Sequence, residues 1–266
     1  MENFEKVGDK LYLIFTDLDG TLVDENYSWE KALSVLEEVK NKKIPVIYCS
    51  AKTKSEQDVI RNRMGVSHPF IAENGSAVYV PKGYFGKSVG EESGDYEIIL
   101  LGAKFEEINE DIKKLKEKYK IKNFYSLTSE EVAEITGLDV ESAGRAKKRE
   151  FGETVVEADE EALEELKKKF NVVSGGRFMQ VFGKGADKGK AINALSEVYK
   201  KFGEVVTVGI GNAHNDEAML RVVDIPILVK NPDGNWADLK IDNLHKAENI
   251  GPAGWAEVVK KFVLGE

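Results

Sequence analysis

The chain has 266 residues, 42% of them apolar, which is enough for a core domain and a second, smaller one. Its net charge of −9 argues against a nucleic-acid or anionic-membrane surface, so the cations that hold any anionic ligand must be local. No apolar run is long enough to span a membrane, and the polar start MENFEKVGDK lacks the apolar stretch of a signal peptide, so the cytoplasm is the expected location. The one cysteine, Cys49, excludes an intramolecular disulfide and reads as a small buried hydrophobe. Charged residues reach 32%, and stretches such as EALEELKKKF fit either solvated helix faces or a thermophilic source.

The first element is LYLIF, Leu11 to Phe15, a continuous apolar run of the kind buried on both faces of a parallel sheet. It ends in TDLDGT. Helical spacing of Trp29, Ala32, Leu33, Leu36 and Val39 predicts a helix from near Ser28. IPVIYCS is a second buried strand, followed by a helix from about Ser55 to Met64 that Gly65 closes. FIAENGSAVYV predicts two short strands around Asn74-Gly75. From about Gly86 to Phe182 the pattern changes to α+β: DYEIILL as a strand, FEEINEDIKKLKEKY and LTSEEVAEITG as helices, GETVVEA as a strand, DEEALEELKKKF as a helix and VVSGGRFMQVFG as a strand pair. The α/β pattern then returns with DKGKAINALSEVYKKFG, VVTVGIG, NDEAMLRVV, IPILV and PAGWAEVVKKFV. The expected fold is α/β: a doubly wound, mostly parallel, Rossmann-like core formed by residues 1–85 and 183–266, with an inserted α+β cap over 86–182.

In open α/β sheets, ligands bind at the carboxyl ends of the strands. Asp17, Asp19, Gly20 and Thr21 follow the first strand. Ser50 and Lys52 follow the second, Lys188 opens the DKGKA helix, and Asn212, Asn215 and Asp216 follow VVTVGIG. Together they suit hydrolysis of a phosphate ester. A carboxylate nucleophile, Asp17, splits hydrolysis into two easier steps. A second carboxyl, Asp19, can protonate the leaving oxygen and later deprotonate water. Two acids and a phosphate need a divalent cation between them. Mg2+ prefers hard oxygens such as Asp17, a backbone carbonyl and Asn212. Lys188 and Ser50, with Gly20 and Asn215, are candidates to hold phosphoryl oxygens. Singly, each of these residues also fits a turn, a cap or a solvated helix.

These residues resemble the motifs of the haloacid dehalogenase-like phosphatases. DLDGT at Asp17 to Thr21 is similar to their first motif, Ser50 to the second, Lys188 to the third and GNAHND at Gly211 to Asp216 to the fourth. The α+β insert looks like the cap of the Cof-like branch. The resemblance implies Asp17 as nucleophile and Asp19 as acid/base. It implies Mg2+ bound by Asp17, the backbone carbonyl of Asp19 and Asn212, with Asp216 assisting through water. SAKT, PFIAENG, PKGYF, ITGL, AKKREFGET and GGRF with KGADKGKA resemble the subfamily that acts on a phosphorylated sugar-glycerate, mannosyl-3-phosphoglycerate, to give a compatible solute. The glucosyl analogue and sucrose phosphate are alternative substrates.

Asn212 departs from that pattern, which has Asp at this position. An amide lacks the negative charge and implies weaker metal binding, which leaves open a weakly active or purely metal- and phosphate-binding homologue. A substrate carboxylate wants an Arg fork or a Lys. Arg177, beside Gly175 and Gly176, is the first candidate, Arg149 the second, and Lys52 a candidate in the core. Arg149 fits an exposed helix end equally well. Glu73 and Asn74 either meet sugar hydroxyls or only form the turn. The three histidines form no metal cluster pattern, and the oligomeric state is not readable.

Overall fold

The structure, a computed structural model, describes residues 4, 6, 7, 9–175 and 177–266. Part of the polar N-terminal stretch and Gly176 lie outside the described residues. In chain order the first elements are β1 (Leu11–Thr16), α1 (Leu33–Asn41), β2 (Val46–Tyr48), α2 (Lys54–Met64), β3 (Phe70–Ala72), β4 (Ala77–Pro81), β5 (Glu91–Ser93) and β6 (Tyr96–Leu100). There follow α3 (Phe105–Leu115), β7 (Ile121–Asn123), α4 (Ser129–Thr136), α5 (Val140–Ala146), β8 (Gly152–Ala158), α6 (Glu160–Lys169), β9 (Phe170–Gly175) and β10 (Phe178–Gly183). The last are α7 (Lys188–Tyr199), β11 (Val205–Gly211), α8 (Glu217–Leu220), β12 (Ile225–Lys230), β13 (His245–Ile250) and α9 (Gly251–Val259).

Five parallel strands in the order β13-β12-β11-β1-β2 form the central sheet. The continuous apolar run of β1 has the expected cause. Ile14 packs with Val46, Val208, Trp255 and Val259 on one face. Leu11, Leu13 and Phe15 pack with Ile47, Ile192, Leu195 and Tyr199 on the other. Beyond β2, the bridge between Cys49 and Ile71 leads into an antiparallel sheet, β3-β4-β6-β5. Strands β5 and β6 are thus joined to β4. Cys49 is fully buried, and burial pushes its thiol pKa up.

The cap is a second antiparallel sheet, β7-β8-β10-β9, with cores of its own. Ile108, Ile112, Ala162 and Leu166 of α3 and α6 pack on Val155 and Val181. Val132, Ala143 and Ala146 of α4 and α5 pack on Phe124 and Leu127. The chain enters and leaves the cap at one place. A Cβ on Gly183 would lie 2.3 Å from the Ala103 nitrogen, and one on Gly185 would lie 2.6 Å from the Leu101 carbonyl oxygen, so glycine lets the two connections touch.

Several elements differ from the periodicity. The helix expected from Ser28 starts as a 3-10 turn at Glu30–Ala32. Upstream, the Asp24 carboxylate accepts the Asn26 and Ser28 N–H groups and holds a turn instead. The segment NDEAMLRVV gives only a 3-10 turn and the short α8. Strand β13 and helix α5 were not foreseen. Strand β13 is an edge strand with only Ala247 buried, so it carries no apolar alternation. Helix α5 is short and contains Gly144, and it rests on its Asp139 N-cap. No helix among the described residues is long and apolar enough to cross a membrane.

Candidate active site

Strand register brings the site together. Thr16 lies between Tyr48 of β2 and Ile210 of β11, so the next residue along, Asp17, stands beside Cys49 and Gly211 at the carboxyl edge. The Asp17 N–H donates to the Ile210 carbonyl. Helix α7 begins at Lys188 because Asp187 caps it, its carboxylate accepting the Lys190 N–H at 2.7 Å. The Lys188 ammonium, fully buried, donates to Asp17 Oδ1 at 2.8 Å and to Asp216 Oδ1 at 2.7 Å. Asp216 Oδ2 accepts the N–H groups of Asn212 and Ala213 at 2.9 and 3.1 Å, which fixes the loop after β11.

One ammonium therefore faces two buried carboxylates. Burial, with Asp216 and Asp19 nearby, pushes the Asp17 pKa up to about 7 against the opposing pull of Lys188. Burial alone would lower the Lys188 pKa, but Asp17 and Asp216 hold it above the usual lysine value. A buried centre with surplus negative charge and hard oxygen donors fits a divalent cation. Asp17, the Asp19 backbone carbonyl and Asn212 are the residues that would hold one. Both Asp216 oxygens are already engaged, Oδ1 by Lys188 and Oδ2 by the two loop N–H groups.

Asn212 is buried and held on every side. Its Oδ1 accepts the Thr21 hydroxyl at 3.1 Å, its Nδ2 donates to Asn231 Oδ1 at 2.8 Å, and Asn231 Nδ2 donates back to its carbonyl at 3.0 Å. Gly20, at φ 73°, passes so close that a Cβ there would lie 2.6 Å from Asn212 Nδ2. Sequence reasoning missed Asn231, although it follows β12 at the same edge of the sheet as the other candidates.

Asp19 points the other way. Its side chain is 54% exposed and pairs with Lys52 at 3.1 Å. Lys52 also lies 3.8 Å from Glu56 and 3.3 Å from the Tyr27 hydroxyl. Burial works against its charge, yet Asp19 and Glu56 hold its pKa above the usual lysine value. Ser50 is buried, and its Oγ accepts the Lys52 N–H at 3.3 Å.

The turn after β3 is unusual. Glu73, Asn74 and Gly75 all have positive φ, at 49°, 59° and 89°. The strain is held because the Glu73 and Asn74 N–H groups donate to the carbonyls of Lys52 and Ser50. The Glu73 carboxylate reaches the cap, accepting the N–H groups of Glu150 and Phe151 at 2.8 and 3.3 Å. Burial pushes its pKa up to about 7, against the pull of Arg149.

Two cavities flank the centre. One, of about 550 Å3, is lined by Lys188, Asn74, Asn215 and the cap's Phe182. The other, of about 410 Å3, is lined by Lys52, Tyr27, Trp29 and the cap's Arg145. Arg177 and Arg149 line neither. Arg177 is exposed after β9, its guanidinium over the Phe178 ring. Arg149 is not an exposed helix end: its side chain is 7% exposed, lies 3.8 Å from Glu73 and donates to the Ala51 carbonyl at 3.3 Å.

A family model for haloacid dehalogenase-like hydrolases matches residues 14–236. A Persephonella marina protein named glucosyl-3-phosphoglycerate/mannosyl-3-phosphoglycerate phosphatase is 41% identical over 94% of this chain and 97% of its own. A Pyrococcus furiosus protein named mannosyl-3-phosphoglycerate phosphatase is 39% identical over 94% and 99%. Among solved structures, a Thermoplasma acidophilum protein shares the fold with a TM-score of 0.68 at 19% identity, covering 96% of this chain and 99% of its own. Sequence, sheet order and the cap agree: the chain belongs to the haloacid dehalogenase-like hydrolases.

Proposed function

We propose that this chain is a Mg2+-dependent phosphatase that removes phosphate from mannosyl-3-phosphoglycerate, or from its glucosyl analogue, through a phosphoryl intermediate on Asp17. The observation that carries the reading is the Lys188 ammonium bonded at once to Asp17 and Asp216 beneath the carboxyl edge of the parallel sheet, with Asp19 two residues on and turned toward Lys52. The names of the curated relatives supply the substrate class.

In the first step an Asp17 oxygen attacks phosphorus while the ester bond breaks and Asp19 gives its proton to the departing alcohol oxygen. In the second step Asp19 takes a proton from water, whose oxygen attacks phosphorus and releases Asp17 and inorganic phosphate. Lys188 holds Asp17 in position and offers positive charge to the phosphoryl oxygens, joined by the Ser50 hydroxyl and the Gly20 and Asn215 edge. Mg2+, when held by Asp17, the Asp19 carbonyl and Asn212, supplies the charge that the single ammonium lacks. We place the division between core and cap at the glycine crossing, near Gly102 and Gly183, and assign substrate choice and exclusion of water to the cap.

Phosphate release from both sugar esters with Mg2+ tests the reading. Wild-type protein is expected to turn over at least one, and Asp17→Asn to lose at least a thousandfold. Turnover that survives Asp17→Asn would exclude Asp17 as nucleophile. A second reading, a metal- and phosphate-binding homologue, is favoured by Asn212 alone. Absence of turnover on both esters and on p-nitrophenyl phosphate would select it.

A further inference from the structure

We propose that the 410 Å3 cavity between the loop after β1 and helices α4 and α5 is the subsite for the leaving alcohol, with Arg145 binding the glycerate carboxylate and Tyr27 and Trp29 facing the sugar. The proposal rests on the phosphatase reading above and adds where the organic part of the substrate lies.

Direction is the first argument. The group that protonates the leaving oxygen must stand beside it, so the alcohol extends from phosphorus past Asp19. The Asp19 carboxylate is paired with Lys52, and Lys52 forms part of this cavity's wall. Asp19 lines neither cavity directly, but its partner Lys52 lines only the smaller one, whereas the larger opens at Lys188 and Asn215.

Chemistry is the second. A sugar-glycerate needs apolar faces for the ring, polar groups for hydroxyls and a cation for the carboxylate, in a volume of roughly 300–1,000 Å3. Tyr27 and Trp29 provide the faces. Arg63 sits with its guanidinium carbon 4.9 Å from the Trp29 ring centroid. Arg145 provides the planar fork that matches a carboxylate. Its side chain is 19% exposed and is braced by Glu141 at 2.6 Å and Ser142 at 2.7 Å.

Preorganisation is the third. Tyr27 has φ 56°, a conformation that a bulky side chain adopts at a cost. The Tyr27 N–H donates to the Asp24 carbonyl, and the Asp24 carboxylate holds the neighbouring Asn26 and Ser28 N–H groups. Strain of this kind persists where surrounding structure enforces it, and here it sets the aromatic ring at the cavity. On the cap side, the Thr53 hydroxyl donates to the Arg145 carbonyl at 3.0 Å, which ties Arg145 to the loop that carries Ser50 and Lys52.

The test compares kcat/KM for the sugar-3-phosphoglycerate ester with that for p-nitrophenyl phosphate, in wild type, Arg145→Gln and Tyr27→Leu. In Arg145→Gln the ratio of the two is expected to fall roughly ten- to a hundredfold, chiefly through KM, with partial recovery in Arg145→Lys. Tyr27→Leu, at an exposed loop position, is expected to lower the ratio roughly tenfold. An unchanged ratio in both variants, or an equal fall on both esters, would overturn the subsite while leaving the phosphatase reading intact. Wild-type hydrolysis of p-nitrophenyl phosphate with none of either sugar ester would remove the proposed substrate and the subsite with it.

Discussion

Asn212 presents a balance between charge and hydrogen bonding. A carboxylate at this position would keep the Thr21 hydroxyl but lose the donor that meets Asn231 Oδ1, setting oxygen against oxygen. It would also add a third acid to a centre with one ammonium. Asn212→Asp is therefore expected to melt at a lower temperature than wild type in EDTA, to recover with Mg2+, and to reach half-maximal activity at a lower Mg2+ concentration. An unchanged Mg2+ requirement would remove Asn212 from the ligand set. At this scale the sequence was informative where chemistry is local to a strand end. Asp17, Asp19, Ser50, Lys188 and Asp216 all stand in motifs that a reader of strand ends can find. Asn231 could have been found by the same rule. Arg145 could not, because nothing in VESAGRA tells that Thr53, 92 residues earlier, receives it. Arg177 drew attention for its glycine neighbours, yet its side chain stacks over Phe178.

Among the elements, the turn between β3 and β4 sets the position of α7. A Cβ on Gly75 would lie 2.2 Å from the Asp187 carbonyl oxygen and 2.7 Å from the Lys188 nitrogen, both backbone atoms, at φ 89°. Gly75→Ala must either shift the helix start or open the turn. The expected cost is about 2–4 kcal/mol in denaturant unfolding, from backbone strain and overpacking. The expected loss in kcat is at least tenfold, because Lys188 moves with the helix start. Wild-type kcat in Gly75→Ala would show that the turn does not position Lys188. The Asn-Gly pair made this turn legible as a hairpin. That it carries three successive positive φ values and grips Ser50 and Lys52 depends on partners that no local pattern encodes. Strand β13 was illegible for another reason: an edge strand with a single buried residue has no periodicity to read.

Across the whole molecule, Glu73 joins core to cap and carries a pH dependence. Its folded pKa lies near 7, above the ordinary value of 4.5, because burial disfavours the carboxylate. The folded state thus binds more protons than the unfolded state between those values, so this group's contribution to stability declines as pH rises from about 4.5 to 7. The shift corresponds to about 3 kcal/mol at most. Glu73→Gln removes the titration, so its stability relative to wild type is expected to rise between pH 5 and pH 8, measured by denaturant unfolding. A constant difference across that range would show that Glu73 keeps an ordinary pKa. The α/β core with an inserted cap was legible as a change of pattern along the chain. The contacts between the two units, Glu73 with Glu150 and Arg149 with Ala51, were not, since they join segments 77 and 98 residues apart.

The glycine crossing has a consequence for how such a protein is assembled and rebuilt. Entry to and exit from the cap touch through their backbones at Gly102, Ala103 and Gly183, and the cap's two apolar clusters draw no residue from the central sheet. A segment whose ends already meet can be lifted out or exchanged without stretching what remains. The cap is in that sense a cassette joined to the core by one backbone crossing, with Glu73–Glu150, Arg149–Ala51 and Thr53–Arg145 as further contacts. Closing the core with a short turn from Leu101 to Lys184 should leave a cooperatively folding remnant, detectable by a single thermal transition. Its absence would mean that the central sheet depends on its insert.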